Sequence, residues 1–155
     1  MDYIPLEKNE YFSECDKTIC ELGYKLVELQ VVPQKGNVHI TAVITHSDSS
    51  KDIGVADCSK VHRVLQPKLI SLLNVSEDNV YMEVCSPGLE RNIKNAAEFG
   101  IFKGREIRVW DKNVSDWVRG FIVSADETQV TLKVEEGTEK SVAFTDIAKA
   151  KFIHL

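Results

Sequence analysis

The spacing of apolar residues changes along the first half of the chain, from steps typical of helices to the alternation typical of strands. Phe12, Cys15, Ile19 and Leu22 recur at steps of three and four residues, as on one face of an amphipathic helix. Two later segments are apolar at every second position, which is the period of a half-buried strand. The predicted elements are, in order, a helix over 7–22, strands over 24–32 and 38–45 joined by a turn at 33–37, a helix over 55–73 and a strand over 80–85.

These elements predict a first domain of the α-β-β-α-β type, a three-stranded sheet with both helices on one face. Pro67 lies inside the second helical pattern, where it removes a backbone donor, so we expect a kink or two helical pieces. The order of elements is that of KH-type RNA-binding domains, which grip the RNA backbone through a GxxG loop. No GxxG occurs in the 155 residues, so a KH-like shape is expected without the usual KH mode of RNA binding.

In the second half, short strands separated by turns replace the long helices. A helical piece is predicted over 95–102, and a tight 3₁₀ turn over 145–147 precedes a last strand. Four or five short strands without a long helix predict a small antiparallel barrel of SH3 or Sm type. The fold class is therefore α+β, with an N-terminal domain at 1–90 and a C-terminal SH3-like barrel domain at 91–155. The first four barrel strands are predicted at 105–110, 117–124, 128–134 and 140–144.

Charge is unevenly distributed between these two predicted domains. The chain carries a net charge of −5, which argues against indiscriminate binding to nucleic acid. Residues 1–90 have 8 Lys or Arg against 14 Asp or Glu, whereas residues 91–155 have 11 against 10. The stretch 91–119 holds 7 of those basic residues and 4 acidic ones. Composition leaves two interpretations open: a basic face that contacts a mixed surface of RNA and protein, or charges that only solvate the strands.

The four cysteines, Cys15, Cys20, Cys58 and Cys85, form no CxxC pair, so we expect neither a metal nor another cofactor, and no disulfide. Three of them fall on apolar faces and are predicted to fill the core as small hydrophobic residues. The N-terminal residues lack the apolar segment of a signal peptide, and no apolar run is long enough to span a bilayer. The sequence therefore predicts a cytoplasmic protein that has no membrane partner.

Motifs of the common enzyme classes are absent from the sequence. It contains no GxxxxGK[ST], GxGxxG, HExxH or GxSxG. His62, five residues after Asp57 on the second predicted helix, is the best candidate for a catalytic pair, but residues five apart do not share a helical face. We therefore expect no catalytic residue, no small-molecule substrate and no enzymatic activity.

One stretch of nine residues is far more specific than these general patterns. The sequence EVCSPGLER at 83–91 resembles the EVSSPGLDR signature of the RimP family of ribosome maturation factors, and FGIFKG at 99–104 resembles that family's entry into its second domain. The order of elements is similar over essentially the whole chain. Cys85 stands where the family has serine and Glu90 where it has aspartate, whereas Asn92 replaces a frequent proline and does not fix the backbone as proline would.

The resemblance implies a binding factor. Its partner would be the precursor of the small ribosomal subunit late in assembly, near the rRNA core and the decoding-site ribosomal protein, and it would act as a monomer. The residues expected to contact this partner are those of the signature turn and of the basic junction between the domains: Ser86, Pro87, Gly88, Leu89, Arg91, Lys103, Arg105 and Arg108.

Two of these residues carry further expectations. Alternation along 105–110 turns Ile107 and Val109 inward, so Arg108 is expected on the surface. For Arg91 a structural role, in which it pairs with Glu83 or Glu90 to fix the turn, stays open. Two other functions also stay open: a regulatory RNA-binding protein of Sm-like kind that acts on mRNA, and a hydrolase whose site the motifs do not reveal.

Overall fold

The computed structural model describes residues 1–6, 11–48, 51–88 and 91–153. These residues form two compact units. One unit spans Leu6–Pro87 and is called the α/β unit below. The other, called the barrel unit, joins Met1–Pro5 to Gly88–Leu155. The predicted first domain, 1–90, differs from the α/β unit mainly at its N-terminal end.

The α/β unit is a three-stranded sheet with two helices. Its elements are α1 (Phe12–Cys20), β1 (Tyr24–Gln34), β2 (Asn37–His46), α2 (Val55–Leu73) and β3 (Val80–Cys85). β1 and β2 form an antiparallel hairpin, and β3 pairs with β2 in parallel, so the sheet order is β1-β2-β3. A parallel pair needs a long crossover connection, which α2 provides. The predicted α-β-β-α-β order is confirmed.

One hydrophobic core holds the two helices against the sheet. It includes most of the apolar positions predicted for the two helices, each 5% exposed or less: Phe12, Cys15, Ile19, Val61, Leu65 and Leu69. Leu72, which was predicted to continue the apolar face of α2, is 39% exposed instead. Burial of a side chain of this size contributes about 1.5–3 kcal/mol to folding. The spacing of apolar residues therefore predicted the correct face of each helix.

Helix α1 is shorter than the predicted range of 7–22, of which residues 7–10 lie outside the described part of the chain. After Cys20 the backbone tightens, because the N–H groups of Leu22 and Gly23 donate to carbonyls three residues back. Gly23 then adopts a φ of 94°, a left-handed conformation that glycine tolerates and that turns the chain into β1. The predicted last turn is therefore a 3₁₀-like exit from the helix.

Helix α2 has the predicted bounds but is one continuous helix, so the expectation of two pieces is wrong. Pro67 lies inside it on the exposed side. Arg63, whose carbonyl loses its helical partner, is also exposed, so water can replace the missing donor. The helix therefore tolerates the proline because the lost hydrogen bond faces solvent.

The cysteines match the predicted core role only in part. Cys15 is fully buried, and this burial raises the pKa of its thiol to about 11, so it packs as an uncharged side chain. Cys20 is exposed, whereas Cys58 and Cys85 are partly exposed and line a groove between α2 and the end of β3. The prediction that Cys58 and Cys85 fill the core is therefore wrong.

The barrel unit is a six-stranded antiparallel sheet. Its elements are β4 (Asn92–Ile93), α3 (Glu98–Ile101), β5 (Glu106–Asp111), β6 (Asp116–Ala125), β7 (Gln129–Lys133), β8 (Glu139–Ala143) and β9 (Ile147–Phe152). The strand order is β4-β9-β5-β6-β7-β8. A 3₁₀ turn at Phe144–Asp146 leads directly into β9 and returns it to β5. This arrangement fits an SH3-like barrel, as the sequence predicted.

Two features near the start of the barrel unit differ from the prediction. The helical piece predicted over 95–102 contains a true helix only at α3, and turns precede and follow it. The two-residue strand β4 was not predicted, because a segment of two residues has no alternation to detect. It pairs with β9, so Asn92 and Ile93 belong to the sheet.

The N-terminal residues Met1–Pro5, called the N-terminal strap, pack on the barrel unit. Ile4 donates its N–H to the side-chain oxygen of Asn95 at 2.9 Å and accepts from the amide of Asn95 at 2.8 Å. The ring of Tyr3 stacks on Phe144 with centroids 6.0 Å apart. Apolar residues do not recur at a regular spacing in the strap, so the sequence did not predict that it packs on the barrel unit.

Candidate nucleic-acid interface

The signature turn follows directly from β3. Ser86 is exposed and Pro87 is partly buried. Gly88 has a φ of 81°, a left-handed conformation that glycine tolerates and that the third position of a type II turn requires. Leu89 lies outside the described residues, so its predicted contact stays a prediction.

Arg91 is held inside the barrel unit by an ion pair. Its Nε donates to Oε1 of Glu98 at 2.9 Å, and the two side chains are 11% and 5% exposed. The backbone N–H of Asn95 also donates to Glu98, at 3.4 Å. A guanidinium that is this enclosed offers little surface to a partner, so the geometry favours a structural role for Arg91. The carboxylate shown to pair with it is that of Glu98, which the sequence did not suggest as a partner.

Lys103 and Arg105 flank the entry to β5. Lys103 is exposed, whereas Arg105 is partly buried. The backbone around them is fixed, because the N–H of Gly104 donates to the carbonyl of Ile122 at 2.8 Å and Ile122 donates to the carbonyl of Arg105 at 3.0 Å. Both predicted residues therefore lie at the start of the barrel sheet.

Arg108 lies on the outer face of β5, as alternation predicted. Ile107 and Val109 on either side of it are fully buried. The guanidinium carbon of Arg108 lies 4.5 Å from the centroid of the Trp117 ring on β6, within the range of a cation–π contact. This contact fixes the long side chain against the sheet and leaves its charge near the surface.

The register of the sheet places Arg108 between two further cations. Arg108 is opposite Lys151 of β9 on one side and opposite Arg119 of β6 on the other. Side chains directly opposite on neighbouring strands share a face about 5 Å apart. Three cations therefore form a row across three adjacent strands, here called the cation row.

Aromatic side chains surround the cation row. Trp117 meets Trp110 edge to face, with centroids 5.6 Å apart, and also lies 5.6 Å from the ammonium of Lys149. Phe121 follows on β6, opposite Lys133 of β7. We call this surface the basic–aromatic face, and it comprises Arg108, Trp110, Trp117, Arg119, Phe121, Lys133, Lys149 and Lys151.

The cation row is only partly neutralised within the fold. Glu106 accepts a hydrogen bond from Nη2 of Arg119 at 3.0 Å. Like charges directly opposite each other destabilise a sheet. Arg108 faces such a neighbour on each side. An anionic partner would relieve this repulsion, so the arrangement is that of a binding surface for anions.

The α/β unit contains the strongest cluster of titratable side chains, but its geometry is structural. The hydroxyl of Tyr24 donates to Oδ1 of Asp57 at 2.5 Å, and Oδ2 of Asp57 accepts from the N–H of Gly54 at 2.8 Å. Nε2 of His46 lies 3.7 Å from Oδ2 of Asp57. Asp57 therefore caps the first turn of α2 and ties β1 and β2 to it.

The hydrogen bonds of this cluster shift two pKa values. The bond from Tyr24, aided by that from Gly54, lowers the pKa of Asp57. The same bond to Asp57, together with burial, raises the pKa of Tyr24 to about 12. His62, which the sequence offered as a partner of Asp57, instead points one ring nitrogen at the carbonyl of Met82, 3.2 Å away. The supposed catalytic pair is therefore not assembled.

Other kinds of site find no support in the described residues. No group of three or more His, Cys, Asp or Glu side chains among them is placed to hold a metal ion. Within the same residues, no helix is both long and apolar enough to cross a membrane.

The sequence found Arg108 but missed most of the face around it. Arg119 was counted among the basic residues but not placed on a face. Trp117 and Phe121 each lie two positions from Arg119 along β6, so all three share one side of the strand. Alternation along the predicted strand 117–124 could have grouped these three residues. Lys151 could not have been found, because its place beside Arg108 depends on the pairing of β9 with β5.

Comparison with known proteins places the chain in a family. Residues 14–90 match the family model described as the RimP N-terminal domain. A protein of Borrelia hermsii described as ribosome maturation factor RimP is 27% identical over 146 residues, which cover 94% of this chain and 96% of that protein. Its counterpart in Borrelia recurrentis is 29% identical over 130 residues, 84% of this chain and 85% of that protein.

These matches extend over both units, and the matched family model contains the turn of EVCSPGLER from which the resemblance was inferred. The α-β-β-α-β unit followed by an SH3-like barrel agrees with what the resemblance implied for the fold. The chain belongs to the RimP family.

Proposed function

We propose that this protein is a non-enzymatic binding factor that acts in the cytoplasm on the precursor of the small ribosomal subunit. Membership of a family whose relatives are named ribosome maturation factors supports a role in ribosome maturation. The basic–aromatic face supports the finer part of the proposal, in which the barrel unit contacts rRNA of the precursor.

The observation that carries the proposal is the cation row. Arg108 lies between Lys151 and Arg119, an arrangement that costs the isolated fold some stability and favours a polyanion. The rest of the chain is acidic enough to give a net charge of −5, so attraction to RNA is confined to this face. Such a factor binds selectively and does not track along any RNA that it meets.

The proposed mechanism is stabilisation of one conformation by binding. A factor that binds one arrangement of rRNA and protein more tightly than the others raises its population until the next component docks. The factor must then dissociate. Contacts made mainly by exposed cations are sensitive to salt and are limited in strength, which suits a temporary partner.

Sedimentation of charge-reversal variants tests the proposal. We expect the wild-type protein to co-sediment with small-subunit precursors, and Arg108→Glu to reduce this binding at least about tenfold, as loss of a charged contact does. Lys17→Glu is the matched control, because Lys17 is an exposed residue of α1 and the substitution changes the net charge equally. Over a salt series the Arg108→Glu variant should show a slope shallower by roughly 0.7 to 0.9.

Three results would contradict the proposal. Equal binding by Arg108→Glu and Lys17→Glu would remove the basic–aromatic face from the interface. Absence of the wild-type protein from small-subunit fractions would reject the ribosomal partner. Recovery of the protein with mRNA, and not with subunits, would favour the Sm-like regulatory function instead.

A further inference from the structure

The aromatic residues of the basic–aromatic face differ in what already covers them. Trp117 has the guanidinium of Arg108 at 4.5 Å and the ammonium of Lys149 at 5.6 Å from its ring centroid. Trp110 packs edge-on against the same ring. Phe121 is 47% exposed. Among the residues that the structure describes, its ring makes neither a ring–ring contact nor a cation–π contact. Its ring is therefore available to a partner.

Phe121 lies in a groove with a charged wall on each side. The groove has a volume of about 950 Å³ and is lined by β6, by the end of β7 and by the turn that follows it. Arg119 and Lys133 contribute cations to it, whereas Glu106 and the turn residues Glu135 and Glu136 contribute carboxylates. Phosphates are therefore expected toward the cation row, with the base directed toward Phe121.

The backbone holds this groove in a fixed shape. Gly120 is buried between Arg119 and Phe121, and a Cβ built there would lie 2.7 Å from the carbonyl oxygen of Lys133. The absence of a side chain thus lets β6 and β7 approach closely beside the groove. Phe121 and Lys133, which are register partners, are consequently presented by a rigid pair of strands.

We propose that Phe121 is a stacking platform for an unpaired base of RNA, whose flanking phosphates lie on Arg108, Arg119 and Lys151. This inference rests on the proposed function for the source of the RNA, but it specifies a single-stranded segment. The bases of a duplex are already stacked and cannot lie on a protein ring, whereas unpaired bases stack on exposed aromatic side chains. A row of cations next to one open ring matches the alternation of phosphate and base along a single strand.

The open ring of Phe121 favours RNA over an acidic protein. A protein partner would need carboxylates to face the cation row, but it would gain nothing specific from the open ring beside that row. The three glutamates of the groove repel carboxylates and phosphates alike, so the ring is what favours a nucleotide. A nucleotide uses both features, because its phosphate is anionic and its base can lie flat on the ring. Binding of a protein at the basic–aromatic face, without binding of single-stranded RNA, would therefore overturn the inference.

Binding of short RNAs to the full-length protein tests the inference. The probes are a single-stranded oligoadenylate with one central 2-aminopurine and a blunt duplex of the same length. We expect the single strand to bind more tightly than the duplex and the 2-aminopurine emission to be quenched when it stacks. Phe121→Ala should weaken binding of the single strand about 5- to 150-fold, whereas Phe121→Trp should retain both binding and quenching.

Two further variants separate stacking from charge. Phe121→Ala should leave the slope of log K against log salt unchanged, whereas Arg108→Gln should make it shallower by about 0.7 and keep the quenching. Tyr81→Ala is the matched aromatic control, because Tyr81 is 73% exposed on β3 of the α/β unit and lies outside the face. It should bind as the wild type does. Unchanged melting temperatures exclude unfolding as the cause.

The outcomes distinguish this inference from the proposed function. If Phe121→Ala binds single strands as well as the wild type does, or if the duplex binds equally, the stacking platform is rejected while sedimentation with small subunits can still hold. If the wild type sediments with subunits but binds no single-stranded RNA, the face contacts protein and the inference is overturned. If single strands bind through Phe121 without any sedimentation with subunits, the platform stands and the ribosomal partner is rejected.

Discussion

The α/β unit and the basic–aromatic face use charged side chains in opposite ways. In the α/β unit, Lys68 lies 3.4 Å from Glu14, and Asp57 accepts hydrogen bonds from Tyr24 and Gly54. On the face, the register sets cation against cation. The charges of the first region serve the fold, whereas those of the second oppose it. Charges that oppose the fold therefore point to a binding surface, which the search for enzyme motifs in the sequence did not do.

The largest expected effect concerns Arg91 and Glu98, an ion pair inside the barrel unit that stabilises the fold as the charged pairs of the α/β unit do. Glu98→Ala would leave the guanidinium of Arg91 enclosed without its carboxylate, which typically costs about 3–5 kcal/mol. We expect the melting temperature of the barrel unit to fall by more than about 10 °C. Both tryptophans of the chain, Trp110 and Trp117, lie in this unit, so tryptophan fluorescence reports its unfolding.

The control for Glu98→Ala is an exposed pair in the other unit. Lys68→Ala removes the partner of Glu14, where both side chains are at least 34% exposed, and such pairs contribute about 0–1 kcal/mol. Its melting temperature should stay within a few degrees of the wild type. If Glu98→Ala melted as late as Lys68→Ala does, the structural role of Arg91 would be wrong.

A second, smaller effect depends on pH and belongs to the α/β unit. The lowered pKa of Asp57 means that its contribution to stability is present above the ordinary carboxylate range and is lost as pH falls through the lowered value. Tyr24, with a pKa raised to about 12, contributes fully below its ordinary pKa near 10 and loses that contribution as pH rises toward 12. Between these limits the contribution of Asp57 and Tyr24 to the free energy of unfolding should not depend on pH.

Tyr24→Phe tests this pH dependence. The variant should be less stable at neutral pH, should lose the alkaline decline between about pH 10 and 12, and should lose less stability in acid, because the pKa of Asp57 is then lowered less. Urea unfolding followed by far-ultraviolet circular dichroism at a series of pH values measures all three, because α1 and α2 provide most of the helical signal. If the free energy of unfolding of the variant fell between about pH 10 and 12 as it does in the wild type, Tyr24 would not be the cause of the alkaline decline.

The smallest expected effect has the opposite sign. Arg108→Glu, which should weaken binding at least about tenfold, places a carboxylate between Lys151 and Arg119 and replaces two repulsions with two attractions. We expect the barrel unit to gain about 0.2–1 kcal/mol, offset in part by the lost contact with Trp117. A small rise in melting temperature together with weaker binding would support the conclusion that the cation row destabilises the fold. A clear fall in melting temperature would contradict it.

Local order was predictable from the sequence where one face of an element is buried. The pattern over 55–73 gave α2 its observed bounds, and 80–85 gave those of β3. Periodicity could do this because burial selects apolar residues at the period of the element. It failed at β4, which is too short to have a period, and at the end of α1, where hydrogen bonds tighten before Gly23.

The candidate site was less predictable than the fold, for a physical reason. Alternation alone placed Arg108 outward. Its neighbours Lys151 and Arg119 come from strands 43 and 11 positions away in the numbering, and only strand order and register bring them together. The partners of Asp57 were hidden in the same way, since Tyr24 and His46 reach it from β1 and β2 and not from its own helix.

The N-terminal strap has a consequence for synthesis and for cleavage of the chain. Because Met1–Pro5 pack with Gly88–Leu155, the α/β unit is in topological terms an insertion within the barrel unit. The strap is made before the α/β unit, yet Phe144, on which Tyr3 stacks, is made after it. The α/β unit can therefore fold during translation, whereas the barrel unit closes late. A single protease cut near Gly88 would likewise leave two fragments that the strap still holds together.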